Sequence, residues 1–352
     1  MNKYQIVEIE GSHQHAGTKA TSDIHDIAEE LGYKSVYIKM NTTVDSKFAK
    51  IKRQFGYYND FNEAYKTIEK DSIVLLQHPF HNKKLNREKK LMKIKKKKGV
   101  KYLSFIHDIE KLRKFRYNDY YEHEFVFMKN IADVIVCHNK VMKEFLINEG
   151  IDEKKIIVLE IFDYLQDKQL VSPKFEKSIT VAGNLDVEKC AYIKDLSKLN
   201  GIDIHLYGPN YDEQLNDFSN VHYHGSFPPN EIPNHLNAGF GLVWDGNSID
   251  GCKGDSGQYL RFNNPHKLSL YLSSGLPVVL WNGAAEAGFI KKHYAGICVD
   301  SLYDLSKGFE LLSEEEYLKI AENVKQLGKK LQNGEYGKKA IAQAEKVLID
   351  EI

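Results

Sequence analysis

Residues 72–106 read SIVLLQHPFHNKKLNREKKLMKIKKKKGVKYLSFI, and this stretch decides the fold. At its ends stand two apolar runs, SIVLLQ (72–77) and KYLSFI (101–106). Both are continuously apolar rather than alternating, as strands covered on both faces are. Between them, residues 83–98 are expected to form a helix with a dense basic face. A strand, a helix and a second strand make the repeating unit of a parallel sheet, because a parallel neighbour is reached only through a crossover.

The same alternation extends outward in both directions. Further strands are read at 4–9, 35–40, 133–137 and 156–161. Helical patterns lie at 123–131, 140–149 and 21–32, the last with Ile24, Ile27, Ala28 and Leu31 on one face. A polar joint at 162–178 follows, and the pattern restarts. Strands are expected at 179–183, 203–208, 221–225, 239–244, 277–281 and 296–299 with helices between, then helices at 303–312, 314–332 and 335–350. The expected class is α/β, with two doubly wound Rossmann-like domains facing a central cleft, 1–162 and 178–334. In such folds ligands bind where the carboxyl ends of the strands meet the cleft.

Length and composition agree. The chain has 352 residues, enough for two domains at ~150 residues each. Its 49 Lys+Arg balance 49 Asp+Glu, which excludes a globally basic nucleic-acid binder. The balance conceals a local excess: Lys83–Lys101 holds eleven basic residues and one acid, Glu88. This run reads either as a solvated helix flank or as a peripheral contact with anionic lipid, and it lacks the interleaved aromatics of a single-stranded nucleic-acid groove. Four scattered cysteines without Cys-x-x-Cys spacing argue against a disulfide framework or a structural zinc site. The absence of an apolar leader or a long apolar span leads to the expectation of a cytoplasmic protein, if the lysine run makes contact then at the inner face of the membrane.

Four loops at strand ends carry candidate chemistry. After the first strand, residues 11–19 end in Gly17-Thr18-Lys19 before a helix, where free backbone N–H groups and the helix dipole suit an anion. The fourth strand runs into His107-Asp108, either of which is a candidate base for an acceptor hydroxyl. In the second half, Gly183-Asn184 ends a strand where a phosphate or ribose can approach closely. The strongest signal is RFNNPHKLSLYLSSGLPVV (261–279), in which Asn264 reads as an N-cap, Pro265 as the first helical residue, and His266 and Lys267 as first-turn residues. Lysine is unfavourable at a positive helix end unless an anion lies between them, and a diphosphate meets that need. Upstream, the glycine-rich residues 245–260 read as a mobile loop over the cleft.

The motifs AGTKA (16–20), FIHDIEKLR (105–113) and NNPHKLSLYLSSGLPVV (263–279) resemble bacterial glycosyltransferases of the GT-B fold. The narrower resemblance is to the group of glucosyltransferases that extend glycans on serine-rich-repeat adhesins and the related β-1,6-galactofuranosyltransferases. It covers nearly the whole chain. It implies a UDP-sugar donor against the second domain, a glycan or glycoprotein acceptor against the first, and a C-terminal helix (335–352) that packs back on the first domain. Carried over, Lys267 neutralises the donor diphosphate with Asn263 and His266 nearby, while Gly17 and Thr18 approach it from the other side. Gly183 and Asn184 line the nucleotide pocket, Tyr207 is a sugar or base contact, and the turn at Phe227 holds the base. Leu270 stands where many retaining members carry glutamate, and no Asp-x-Asp motif occurs. The implied reaction is inverting and independent of metal, with no cofactor beyond the donor. The resemblance is also compatible with self-association.

Two other functions stay open at this point. A UDP-sugar epimerase that does not use NAD shares the fold, and His13, His15, His107 and Asp108 fit its chemistry as well. A non-catalytic scaffold, with the lysine run as its working part, is the other.

Overall fold

The computed structural model describes residues 1–9, 16–39, 46–188 and 190–350, with backbone alone at 16–18. The first half alternates as β1 (Lys3–Ile9), α1 (Ala16–Glu30), β2 (Lys34–Lys39), α2 (Lys47–Thr67), β3 (Ile73–His78), α3 (Arg87–Lys98), β4 (Lys101–Ile106), α4 (Glu110–Arg113), α5 (Asp119–Ile131), β5 (Val134–Cys137), α6 (Lys140–Asn148) and β6 (Ile156–Val158). The strands form one parallel sheet in the order β2-β1-β3-β4-β5-β6. The second half holds β7 (Lys174–Ala182), β8 (Asp203–Tyr207), β9 (Val221–Tyr223), β10 (Ala238–Val243), α7 (Gly254–Tyr259), α8 (His266–Ser273), β11 (Val278–Trp281), α9 (Ala287–His293) and β12 (Gly296–Val299). Its sheet is also parallel, ordered β12-β11-β10-β7-β8-β9. Helices α10 (Leu305–Leu311), α11 (Glu314–Gln332) and α12 (Glu335–Asp350) end the described chain.

The uninterrupted apolar strands are explained by burial on both faces. On one face of the first sheet Val74, Leu76 and Tyr102 pack with Tyr57 and Phe61 of α2 and Leu91 and Ile94 of α3. On the other, Leu75, Leu103, Phe105 and Val136 pack with Ile24 and Ile27 of α1. That second face is completed from the far end of the sequence by Ala340, Ile341, Ala344 and Leu348 of α12. The buried Asp163 fixes where α12 begins, its carboxylate accepting from the backbone N–H of Tyr336 (3.2 Å) and Gly337 (2.6 Å). A Cβ at Gly337 would lie 2.9 Å from Ile27 Cδ1 and 3.1 Å from Asp163 Oδ2, so a side chain there would press on both.

Three local readings change. Between β7 and β10 the connections are short 3₁₀ turns (Ala191–Lys198, Glu213–Asp217, Ile232–His235) instead of α-helices. The two later segments carry Pro209, Pro228, Pro229 and Pro233 among Asp and Asn, which leaves no amphipathic face for a full helix. Residues 245–260 are held in place: Trp244 Nε1 donates to Ser248 O (2.8 Å), Asn247 N to Lys253 O (3.1 Å), and Ile249, Cys252 and Tyr259 are buried. Gly246 and Gly257 are there for close backbone passage, since a Cβ at Gly246 would meet Lys253 O at 2.0 Å.

The third change concerns the basic run, part of which is engaged internally. Lys84 (2.6 Å) and Arg87 (3.1 Å) hold Glu8 on β1, and Lys95 holds Asp133 (2.8 Å). Lys98 donates to the carbonyl of Ile68. Burial works against the Glu8 charge, yet Arg87 and Lys84 together keep its pKa below the ordinary value. Lys83, Lys89, Lys93, Lys96 and Lys97 remain exposed. Among the described residues, no helix is long and apolar enough to cross a membrane.

Candidate active site

Parallel sheets present all their carboxyl ends on one edge, so the loops after β3, β4 and β5 fall together. His107 follows β4, and its backbone N–H donates to His78 O at the end of β3 (2.7 Å). The next residue, Asp108, is held from both domains. Its Oδ2 accepts from Arg113 of α4 (2.9 Å), and its Oδ1 accepts from the Tyr259 hydroxyl of α7 (3.0 Å). That hydroxyl in turn accepts from Ile109 N (3.1 Å). Burial raises the Asp108 pKa above the ordinary value, with Arg113 and Tyr259 working in the opposite direction. Its side chain keeps 28% exposure and so is open to a reactant.

His107 differs from its neighbour. Its Nε2 contacts Gln77 Oε1 (2.6 Å), its ring stacks on Phe162 at 5.6 Å, and Nδ1 is buried without a partner among the described residues. Burial, reinforced by His138, His266, His81 and His78, depresses its pKa well below the ordinary histidine value. His138 (4.9 Å) and His266 (6.0 Å) meet the same Phe162 ring edge-on. Burial lowers them to about 3 and about 4. Three neutral imidazoles therefore surround one phenyl ring where the linker leaves the first domain.

Asn264 takes a different role from the one its sequence position gave it. It does not cap α8, whose cap position falls on Pro265 with no side-chain hydrogen bond. Its amide instead spans the domains, donating to His138 O (2.9 Å) and Glu160 O (3.0 Å) and accepting from Asn139 (2.7 Å). Its backbone N–H donates to His138 Nδ1 (3.0 Å). Asn139 also donates to Phe262 O (3.0 Å). Asn263 carries a buried Oδ1 that finds no partner among the described residues.

Lys267 does stand in the first turn of α8, with part of its charge already answered by the protein. Nζ donates to Trp244 O (3.0 Å) and lies 3.6 Å from Asp245 Oδ2. Burial disfavours its ammonium, but Asp245 and weaker neighbours outweigh burial and raise its pKa. A permanent cation thus sits at the carboxyl end of β10 beside a helix N-terminus, and its side chain is 22% exposed.

Glycines shape the rest of this edge. Gly183 N donates to Tyr207 O (2.9 Å) and Gly208 N to Gly225 O (2.8 Å). A Cβ on Gly208, whose φ is +147°, would fall 1.7 Å from Gly183 O, so the ends of β7 and β8 can close only on glycine. Asn184 is exposed and accepts from Asp186 N (3.2 Å) and Asn210 Nδ2 (2.8 Å). Tyr207 turns elsewhere. It stacks on His224 (4.7 Å) and, with His205 and His235, lines a cavity of about 460 Å³ bounded by Val171, Glu176 and Thr180. Lys267 is not among its walls. Phe227 stacks on His235 at 3.8 Å beside it.

Gly17 and Thr18 stand at the start of α1, but their side chains, with the loop at 11–15 and its His13 and His15, lie outside the described residues. The structure therefore gathers His107, Asp108 and His266 at the junction and sets Lys267 at the end of β10. Tyr207 faces away into its own cavity. Sequence reasoning missed Tyr259, Asp245, His138 and Asn139. Asp245 closes a strand next to a glycine and had that much signal; the others are set by contacts more than a hundred residues away.

Family models for the Glucosyltransferase 3-like N-terminal and C-terminal domains match residues 3–161 and 179–344. Glucosyltransferase 3 of Streptococcus gordonii is 26% identical over 344 residues, covering 97% of this chain and 98% of that one. The β-1,6-galactofuranosyltransferase WbbI of Escherichia coli is 37% identical over 212 residues, a match spanning 58% of this chain and 61% of WbbI. Among solved structures, HepE of Anabaena in complex with UDP and glucose superposes with a TM-score of 0.59 at 11% identity, over 98% of this chain and all of that one. WaaG, a glycosyltransferase of lipopolysaccharide biosynthesis, gives 0.57 at 12% identity, over 99% of each chain. These likenesses show the GT-B fold that the sequence motifs suggested. Matched in order through both halves, the chain belongs to the Glucosyltransferase 3-like family of bacterial GT-B glycosyltransferases.

Proposed function

We propose that this protein transfers a hexose, glucose or galactofuranose, from a UDP-sugar to a sugar hydroxyl of a glycan on a glycoprotein or polysaccharide precursor, with inversion. The observation that carries this reading is Asp108: an accessible carboxylate of raised pKa, fixed by Arg113 from its own domain and Tyr259 from the other. Proton-accepting strength near working pH is what a general base needs. His107 suits that role less, because its free nitrogen is buried and its proton affinity is low.

In the step proposed, the acceptor oxygen forms a bond to the anomeric carbon as the bond from that carbon to the β-phosphate oxygen breaks. The acceptor proton passes to Asp108, and UDP leaves with the bonding electron pair. Lys267 and the N-terminus of α8 stabilise the charge that develops on the diphosphate. In this reading the fixed ammonium takes the part a divalent cation plays elsewhere, so activity is expected to persist in EDTA. Support comes from the family and from relatives named as a glucosyltransferase and a galactofuranosyltransferase.

The test is a panel of UDP-sugars assayed with a GlcNAc-terminated acceptor, following UDP release and the anomeric configuration of the product by NMR. One donor should give acceptor-dependent UDP release and a product of inverted configuration. A retained configuration overturns the direct-displacement step. An isomerised UDP-sugar formed without acceptor makes the protein an epimerase, and the absence of both UDP binding and turnover removes the nucleotide-sugar assignment.

A further inference from the structure

The surface of the first domain carries a feature that the step proposed above does not involve. The first half of α2, KFAKIKRQFGYY (47–58), contains Lys47, Lys50, Lys52 and Arg53 and no acid. Three of its large apolar side chains point into solvent: Phe48 is 85% exposed, Ile51 57% and Phe55 62%. Their spacing of three and four residues makes them one stripe. The helix cannot bury that stripe by rolling, because its opposite side is fixed in the core by Tyr57, Phe61 and Ala64.

A second element extends the stripe. Gln54 of α2 donates to Lys83 O (3.1 Å) and accepts from Leu85 N (2.7 Å). These bonds hold the segment after β3 against α2 and set Leu85, 48% exposed, beside the apolar row. Lys83 and Lys89 are exposed nearby, with Lys93, Lys96 and Lys97 farther along α3. Both segments start from the carboxyl ends of their strands, β2 and β3, and so from the sheet edge that carries Asp108.

We infer that this stripe and its lysines form a docking surface for an anionic lipid bilayer, applied through the rim of the first domain next to Asp108. The exposed apolar side chains lie in a row along one helix and the segment beside it, which suits a planar boundary. The composition is that of an interfacial helix, with aromatic and aliphatic side chains in the acyl boundary and flexible cations beside them reaching the headgroups. Charge complementarity selects the lipid: each lysine close to an anionic surface adds attraction that salt removes. Because the whole chain sums to zero, the rest of the protein carries a compensating negative charge that an anionic surface repels, so binding should be oriented.

The experiment is co-sedimentation of the full chain with vesicles of phosphatidylcholine, with and without phosphatidylglycerol. Binding is expected only to the anionic vesicles and should weaken as salt is raised. The double variant Phe48→Ser, Phe55→Ser should bind about tenfold more weakly. Lys52→Glu with Lys83→Glu should abolish the preference for phosphatidylglycerol. UDP affinity, measured on the same variants by calorimetry, should match the unmodified protein and shows that the fold is intact. Absence of vesicle binding, or binding unmoved by the serine variant, overturns the inference. So does sedimentation velocity showing a dimer that the serine variant converts to monomer, which makes a second copy the occupant. Tight binding of a single-stranded oligonucleotide lost in the serine variant assigns the stripe to nucleic acid instead.

Discussion

The carboxyl edge of the first sheet gathers two neutral imidazoles, His107 and His138, and one partly exposed carboxylate, with His266 of α8 against the same phenyl ring, whereas that of the second carries close-packed glycines and a lysine. Both edges come from the same strand–helix plan, yet they are furnished for opposite electrical tasks. On the first, burial strips protons from His107 and His138 and raises the proton affinity of Asp108, so among these groups the carboxylate is the one held ready to take up a proton. On the second, Asp245 keeps Lys267 charged, so its cation is constant across the working range. A fold with two such faces can divide a displacement between them, with proton uptake on one side and departure of an anion on the other.

The largest effect should come from removing the titrating side. Asp108→Asn keeps the shape and a hydrogen-bonding oxygen for Tyr259 but cannot take a proton, and kcat is expected to fall about 10³-fold with UDP affinity unchanged. Calorimetry beside steady-state kinetics reads both. A loss of UDP binding in this variant would show that the two edges are not separate in function.

Next, Lys267→Gln should lower kcat/KM by about 10²-fold and weaken UDP binding, since the charge acts on the diphosphate both bound and departing. Lys267→Arg should recover little, because the broader guanidinium does not fit a site already shared with Trp244 O and Asp245. An unchanged rate in the glutamine variant takes the lysine out of the site.

The smallest and sharpest test is Tyr259→Phe. The hydroxyl donates to Asp108 and lowers its pKa, so removing it raises that pKa further. The base works only when ionised, so activity is lost as pH falls through the folded pKa. The acid limb of kcat/KM should therefore lie above the ordinary aspartate range in the unmodified protein. In the phenylalanine variant it should move to still higher pH, with the plateau above both limbs little changed. A limb that does not move means that another group is the base.

Much of this was legible in the sequence because burial on both faces writes strands as plain apolar runs. SIVLLQ and KYLSFI are β3 and β4 to within a residue, whereas the second sheet already begins at Lys174, inside the segment 162–178 expected as a polar joint. Lys267 was legible because a cation at a positive helix end is an anomaly that asks for an anion. Asn264 misled for a local reason. Asn before Pro is a good cap in isolation, and nothing nearby shows that His138, Asn139 and Glu160 will claim its amide. The lysine run misled similarly, because Glu8 and Asp133, which take up Lys84, Arg87 and Lys95, come from other strands and loops. Stripes such as Phe48, Ile51 and Phe55 look like any buried helix face until the core is seen to be filled from the opposite side.

Asn264 has a mechanical consequence. With its backbone N–H and both ends of its amide bonded across the domain boundary, it acts as a pin through two leaves of a hinge. Rotation about such a pin moves each group in proportion to its distance from it. The Tyr259–Asp108 bond also crosses that boundary, so any parting of the two leaves that reaches it would slacken the base and open the space beside it in one motion.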